Sequence, residues 1–297
     1  QKFIQFDIVD FYPSITEELF KGVIEWAEQH TEITEEEKEI LFQSKKSFLF
    51  NKDEPWKKKT KSYFDVTQGS LDGAETCELV GLHLLFKLQK LGLYVAVYRD
   101  DGLAACKFSP QKTENIKKKI CAIFEDLNLK ITITANLKIV DFLDITLDLT
   151  LGTYRPYSKP NDKPLYVNKQ SNHPPNVTKN IPGGINKRIS DNSSNKEIFD
   201  EAAPKYQKEI SEAGYDYTFK YEPPNPQKHN NSKKKNRKCD ITWFNPPYSL
   251  NVSTKVGAMF VKIIDKCFPK CHPLHKMLNR NTMKVSSRTT PNMKHLV

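Results

Sequence analysis

"VAVYRDDGLAACKF" (residues 95–108) sets two aspartates, Asp100 and Asp101, between two apolar stretches. Leu93 to Tyr98 on one side and Leu103 to Phe108 on the other read as strands, so the segment predicts a β-hairpin tipped by both carboxylates. Turn chemistry explains part of this, since Asp suits a tight turn and Gly102 accepts a positive φ. It leaves the adjacent like charges and the preceding Tyr98-Arg99 unexplained. A divalent cation would account for the charges, because a hard ion offsets their repulsion and takes oxygen ligands. That explanation demands a third carboxylate on a neighbouring strand.

"FDIVDFYPSI" (6–15) supplies it. Lys2 to Val9 reads as a strand, which places Asp7 near its end on the same face as Val9, with Asp10 where the chain leaves. Alone this is a strand followed by a polar turn. Paired with the Asp-Asp hairpin, a strand ending in Asp with an aromatic five residues on becomes a specific constellation.

The surrounding chain fits an enzyme core. Its 297 residues can bury a sizeable core in one large or two modest domains. A net charge of +10 favours a polyanionic partner over a membrane, and no apolar run approaches bilayer-spanning length. Six scattered cysteines suit a reducing, intracellular compartment rather than a disulfide framework. The opening at Gln1, already inside a strand, suggests a fragment of something longer.

Through residue ~150 strands and helices alternate. Thr16 or Ser14 can cap a helix running through Trp26, and Thr34 with its Glu run caps another ending near Phe48. Tyr63–Val66 reads as a short strand and Asp72–Lys90 as a long helix that Asp72 caps. A helix over Ser109–Leu127 with a basic face follows the hairpin, then strands over Lys130–Thr134 and Ile139–Leu149 and a turn at Gly152. The expected fold class is α+β, an antiparallel sheet covered by helices on one face.

These motifs together resemble the palm of a reverse transcriptase. Asp7 to Tyr12 resembles the first metal motif and Tyr98-Arg99-Asp100-Asp101 the second. "VTQGSLDGAETCELVG" (66–81) is similar to the Gln-Gly segment and its helix, and "VDFLDITLDLTLGTY" (140–154) to the hairpin that grips the primer end. The resemblance covers about half the chain. "FLDITLDL", "YRPYSKPNDKPLYVNKQSNHPPNVTKNIPGGINKRIS" and "CDITWFNPPYS" resemble the thumb region of Penelope-like retroelements. The GIY-YIG endonuclease that often follows in that group has no counterpart in this sequence, and the fingers expected before the first motif are missing too.

The resemblance implies RNA-templated DNA synthesis from an RNA template, a DNA primer and deoxynucleoside triphosphates, with two Mg²⁺ ions (or Mn²⁺) roughly 3.5–4 Å apart. It makes Asp7, Asp100 and Asp101 the metal ligands, helped by the Ile8 carbonyl. It sets Tyr12 against the sugar of the incoming nucleotide, where a ring excludes a 2′-hydroxyl. Gln68 and Gly69 would line the nucleotide pocket, and Tyr98, Phe142 and Leu143 would contact nucleic acid. Leu71, Asp72 and Glu75 depart from the small residues and proline usual after Gln-Gly. Two rivals stand beside this: a domesticated, non-catalytic nucleic-acid-binding remnant, and an RNA-dependent RNA polymerase sharing the palm.

The implied organisation is a palm at 1–153, a thumb-like connection at 154–221, a disordered basic linker at 222–238 and a small element at 239–297. Lys57-Lys58-Lys59 and Lys117-Lys118-Lys119 are solvated faces or phosphate contacts. Lys233 to Lys238 reads as linker or as a nuclear-import patch. The spacing of Cys267, Cys271, His272 and His275 fits no standard zinc pattern.

Overall fold

The structure is a computed structural model that describes residues 1–56, 62–160, 165–223, 241–249, 251 and 255–287. Lys57-Lys58-Lys59, Lys233 to Lys238 and nearly all of the 222–238 linker lie outside those residues. The chain divides into two compact units, Gln1–Tyr157 and Ser158–Val297.

The first unit runs β1 (Lys2–Ile8), α1 (Phe11–Ser14), α2 (Glu17–Ala27), α3 (Glu35–Ser44), β2 (Leu49–Asn51), β3 (Glu54–Trp56), α4 (Gly73–Gln89), β4 (Tyr94–Tyr98), β5 (Asp101–Cys106), α5 (Pro110–Glu125), β6 (Ile131–Leu137), β7 (Ile139–Phe142), β8 (Ile145–Asp148) and β9 (Thr153–Pro156). Four strands form an antiparallel sheet in the order β4-β5-β1-β6, the split β-α-β arrangement. β7, β8 and β9 form a second antiparallel sheet, and β2–β3 a separate hairpin.

Period-two alternation decides which side of the main sheet is covered. Ile4, Phe6 and Ile8 of β1 point into a core with Leu19, Phe20 and Val23 of α2, Val80, Leu84 and Leu88 of α4, and Ile116, Ile120 and Phe124 of α5. Phe3, Gln5 and Asp7 point the other way. Only the Phe3 end of that second face is covered, where Phe3, Leu103 and Val140 pack with Phe142 and Leu147. Gln5 adds a bond from its Nε2 to the Asp141 carbonyl, 2.7 Å. The Asp7 end is left bare.

Capping defines the helices as the sequence suggests. Thr16 accepts from the Leu19 N–H at 3.1 Å, and Thr34 and Glu37 form a reciprocal capping box. Several expectations change. α3 stops at Ser44, four residues short of Phe48, because Lys46 leaves the helix to bridge Phe64. That bridge is all the strand character found in Tyr63–Val66. The expected single strand at Ile139–Leu149 is two strands, folded back where Leu143 adopts φ 54°. Gly102 lies in β5 without positive φ, and Arg99 carries the turn at φ 53°. Gly is needed at 102 for space: a Cβ there would lie 2.0 Å from the Phe6 ring, which sits directly opposite in register.

The second unit contains α6 (Pro175–Asp191), α7 (Lys196–Glu212), β10 (Thr242–Phe244), α8 (Val256–Cys267), a 3₁₀ turn (Pro273–Lys276) and β11 (Met283–Val285). α6 and α7 bury Ile189, Phe199 and Ile210 against Tyr215 and Phe219. The buried Asn186 side chain fastens the following segment, accepting from the Lys220 N–H at 2.8 Å and donating to Glu222 at 3.0 Å. β10 and β11 pair in parallel. His272 Nδ1 accepts from the Leu274 N–H, and the His275 ring meets the Phe268 carbonyl. Among the described residues the protein is mixed α/β, with sheets that are antiparallel apart from β10–β11. Among the described residues no helix is long and apolar enough to cross a membrane.

Candidate active site

The bare end of the main sheet gathers the acidic residues. Asp7 of β1 and Asp101 of β5 are directly opposite in antiparallel register, so their side chains leave the same face. Tyr98 of β4 is opposite Asp101 and completes the row on its other side. Asp100 occupies the turn, and its carbonyl accepts from the Ile8 N–H at 2.9 Å, which ties the hairpin tip to the end of β1. On β1's other flank the Val9 N–H donates to the Lys130 carbonyl at 2.9 Å. Two neighbouring strands thus fix where Asp7 stands.

The charges feel one another. Burial first, and then the Asp100 charge, raise the Asp7 carboxyl above its ordinary range, as like charges at one site do. Arg99 lies over the Tyr98 ring at 5.5 Å. The Ile8 side chain is buried in the core, so only its backbone is available to the site.

Tyr12 reaches the same place by a sharp change of direction. Asp10 takes a left-handed conformation, φ 50° and ψ 48°, and the single turn of α1 follows. Ser14 closes it, its N–H donating to the Asp10 carbonyl at 2.9 Å and its hydroxyl to the Val9 carbonyl at 3.2 Å. The half-buried Tyr12 ring then lies against the start of α4, where a Cβ on Gly73 would be 3.7 Å from it. Its hydroxyl shares a hydrogen bond with the Cys77 thiol, and the charges of Arg99 and Asp100 reach it. Burial, then Cys77, raise the Tyr12 pKa. Burial pushes the Cys77 thiol up to about 11, so it stays a neutral thiol.

Gln68 and Gly69 form the exposed turn before α4, with Gly69 at φ 90°. The Ser70 N–H closes that turn on the Thr67 carbonyl at 3.1 Å. Asp72 sits at the N-cap position but makes no cap bond, contrary to the sequence expectation. Its carboxylate instead pairs with Lys45 at 2.6 Å and accepts from Ser44 at 2.8 Å. Lys45 is 2% exposed, a fully buried lysine. Burial raises the Asp72 carboxyl, but the bonds from Lys45 and Ser44 outweigh that and hold it below its ordinary value. No sequence signal marks Lys45, which lies in a run of polar residues. It clamps the end of α3 to the start of α4, and its carbonyl accepts from the Asp65 N–H at 2.9 Å.

Phe142 and Leu143 occupy the β7–β8 hairpin. Phe142 packs beside Phe3 and Leu103, whereas Leu143 at the turn is exposed. They adjoin the covered end of the sheet face whose other end carries Asp7 and Asp101.

The donor set suits a hard divalent cation: carboxylate oxygens at adjoining strand ends, with Asp7 already perturbed by a second acid. As the side chains stand, no group of three His, Cys, Asp or Glu among the described residues is arranged to hold a metal ion. The fit lies in the type and placement of the oxygens, not in a finished cage. No protein-family model matches the chain, and no curated protein matches it.

Proposed function

We propose that the first unit is the palm of an RNA-directed DNA polymerase of the reverse-transcriptase kind, with C-terminal motifs most like those of Penelope-like retroelements. One observation carries this: Asp7 and Asp101 are paired in register on the bare sheet face, with Asp100 at the adjoining turn and Tyr12 beside them. The split β-α-β sheet covered by helices on one side is the architecture such a palm requires. The thumb-like role falls to the residues that follow, including α6 and α7.

Asp7, Asp100 and Asp101 would hold Mg²⁺, with Mn²⁺ as a substitute, and the Ile8 carbonyl would assist. When bound, the ions activate a primer 3′-hydroxyl and stabilise charge on the attacking and leaving oxygens. The protein's own part is positioning. Tyr98 and the Phe142-Leu143 turn hold the primer strand along the open face. The Gln68-Gly69 turn lines the nucleotide pocket, where Gly69 allows close backbone approach. Tyr12, braced by Cys77 and Gly73, closes the pocket on the sugar side. The substrates are an RNA template, a DNA primer and deoxynucleoside triphosphates. The net charge of +10 fits a nucleic-acid partner, the scattered cysteines an intracellular site, and Lys233 to Lys238 a nuclear one.

Tyr12 provides the test. In the full-length protein, Tyr12→Val should keep deoxynucleotide insertion within about tenfold and raise ribonucleotide insertion roughly tenfold or more. A hydroxyl pressed against a packed ring costs ~1–3 kcal/mol, which sets that range. The readout is the ratio of kcat/KM for the two nucleotides. A wild-type preference for ribonucleotides would point to an RNA polymerase instead. An unchanged ratio would reduce Tyr12 to packing.

A further inference from the structure

The β2–β3 hairpin has no core of its own. All six of its strand residues are exposed, including Leu49 at 69%, Phe50 at 74% and Trp56 at 55%. An isolated two-stranded ribbon is marginal in water unless something covers it. Register puts Leu49 opposite Trp56 and Phe50 opposite Pro55, so both faces of the ribbon are apolar and bare. The turn between them is tight, with Lys52 at φ 51° and Asp53 at φ 65°. At the base Phe48 and Tyr63, also exposed, lie 5.1 Å apart with their rings tilted at 41°.

Charge identifies the occupant. Residues 46–61 carry six lysines (46, 52, 57, 58, 59 and 61) against two carboxylates, Asp53 and Glu54. Exposed Lys46 and Lys52 flank the rings themselves. Rings interleaved with lysines fit a polyanion that also offers flat apolar faces. Unpaired bases offer such faces, while a duplex hides them in its stack. We propose that the β2–β3 hairpin is a docking surface for single-stranded nucleic acid that wraps the ribbon, with bases stacking on Phe50 on one face and on Trp56 on the other and phosphates running past Lys46 and Lys52. This goes beyond the proposed function and does not depend on the carboxylate chemistry.

The test is fluorescence anisotropy of a labelled 20-nucleotide single strand with the full chain, across a salt series and without nucleotide or divalent ion. Phe50→Ala/Trp56→Ala should weaken binding about tenfold or more and leave the salt slope unchanged. Phe50→Tyr/Trp56→Phe should restore it, since any ring can stack. Lys46→Gln/Lys52→Gln should flatten the slope by about two phosphate contacts. Asp100→Asn should bind like wild type, so loss of polymerase activity and loss of this surface are read separately. Binding by the double alanine variant within twofold of wild type would overturn the proposal. So would light scattering showing that the variant only dissociates a dimer, which would make the hairpin a contact between copies.

Discussion

Asp72→Asn should destabilise the first unit more than Lys45→Met, although both break the same 2.6 Å ion pair. The asymmetry comes from burial, for Lys45 is 2% exposed and Asp72 is 36% exposed. Replacing the acid by an amide leaves the buried ammonium facing only neutral oxygens at residue 72, the side-chain amide and the carbonyl at 3.5 Å, with its countercharge gone. Stranding a buried charge costs ~3–5 kcal/mol, and water reaching the gap through the exposed side of residue 72 brings this to about 2–3 kcal/mol. Removing the lysine leaves Asp72 with Ser44 and solvent, and Met keeps most of the buried stem, so the cost is about 1 kcal/mol. The double variant has no charge to strand and should be at least ~1 kcal/mol more stable than Asp72→Asn alone. Urea unfolding at pH 7, followed by circular dichroism, measures all three. The pair also has a pH signature. Asp72 is depressed in the folded state, so its contribution is present above about pH 4 and is lost as pH falls through the folded value. Strictly additive losses, or a larger cost for Lys45→Met, would refute this account of the clamp.

Gly102→Ala should cost at least ~1–3 kcal/mol, because its Cβ would enter the Phe6 ring, and Phe6→Leu should recover part of the loss in thermal melts. His83, buried and stacked on Trp26 at 5.1 Å, has its pKa lowered by burial and then by Lys87 and Lys90. Its unfolded form binds a proton first, so stability is full above about pH 6.5 and falls as pH drops through the folded value. His83→Phe should flatten the stability profile below about pH 6.5.

Much of the first unit was legible because its signals are local. The alternation of Lys2 to Ile8, the Thr34–Glu37 box and the flanks of the Asp-Asp turn each declare an element from adjacent residues. The carboxylates' placement was legible for a related reason: an Asp near the end of one strand and an Asp at the start of its antiparallel neighbour fall at the same end of a sheet. What escaped is what depends on distant partners. Nothing local distinguishes Lys45 from its exposed neighbour Lys46, since its burial is decided by Asp72, 27 positions on. Gly102 looked like a turn glycine because the ring that needs its space belongs to another strand. α6 and α7 hid behind Pro182 and Pro204, which lie inside those helices and made the segment read as irregular. The β2–β3 hairpin was missed because three-residue strands are too short to show alternation.

The carboxylates at the end of the sheet are the centre of the account, and RNA-templated extension of a DNA primer in Mg²⁺ tests them most directly. Wild-type and Asp100→Asn full-length proteins should bind primer–template equally well. Losing one ligand removes several kcal/mol of transition-state stabilisation, so the variant should extend at least roughly a thousandfold more slowly. Extension by Asp100→Asn at the wild-type rate would contradict the metal assignment and the polymerase function built on it.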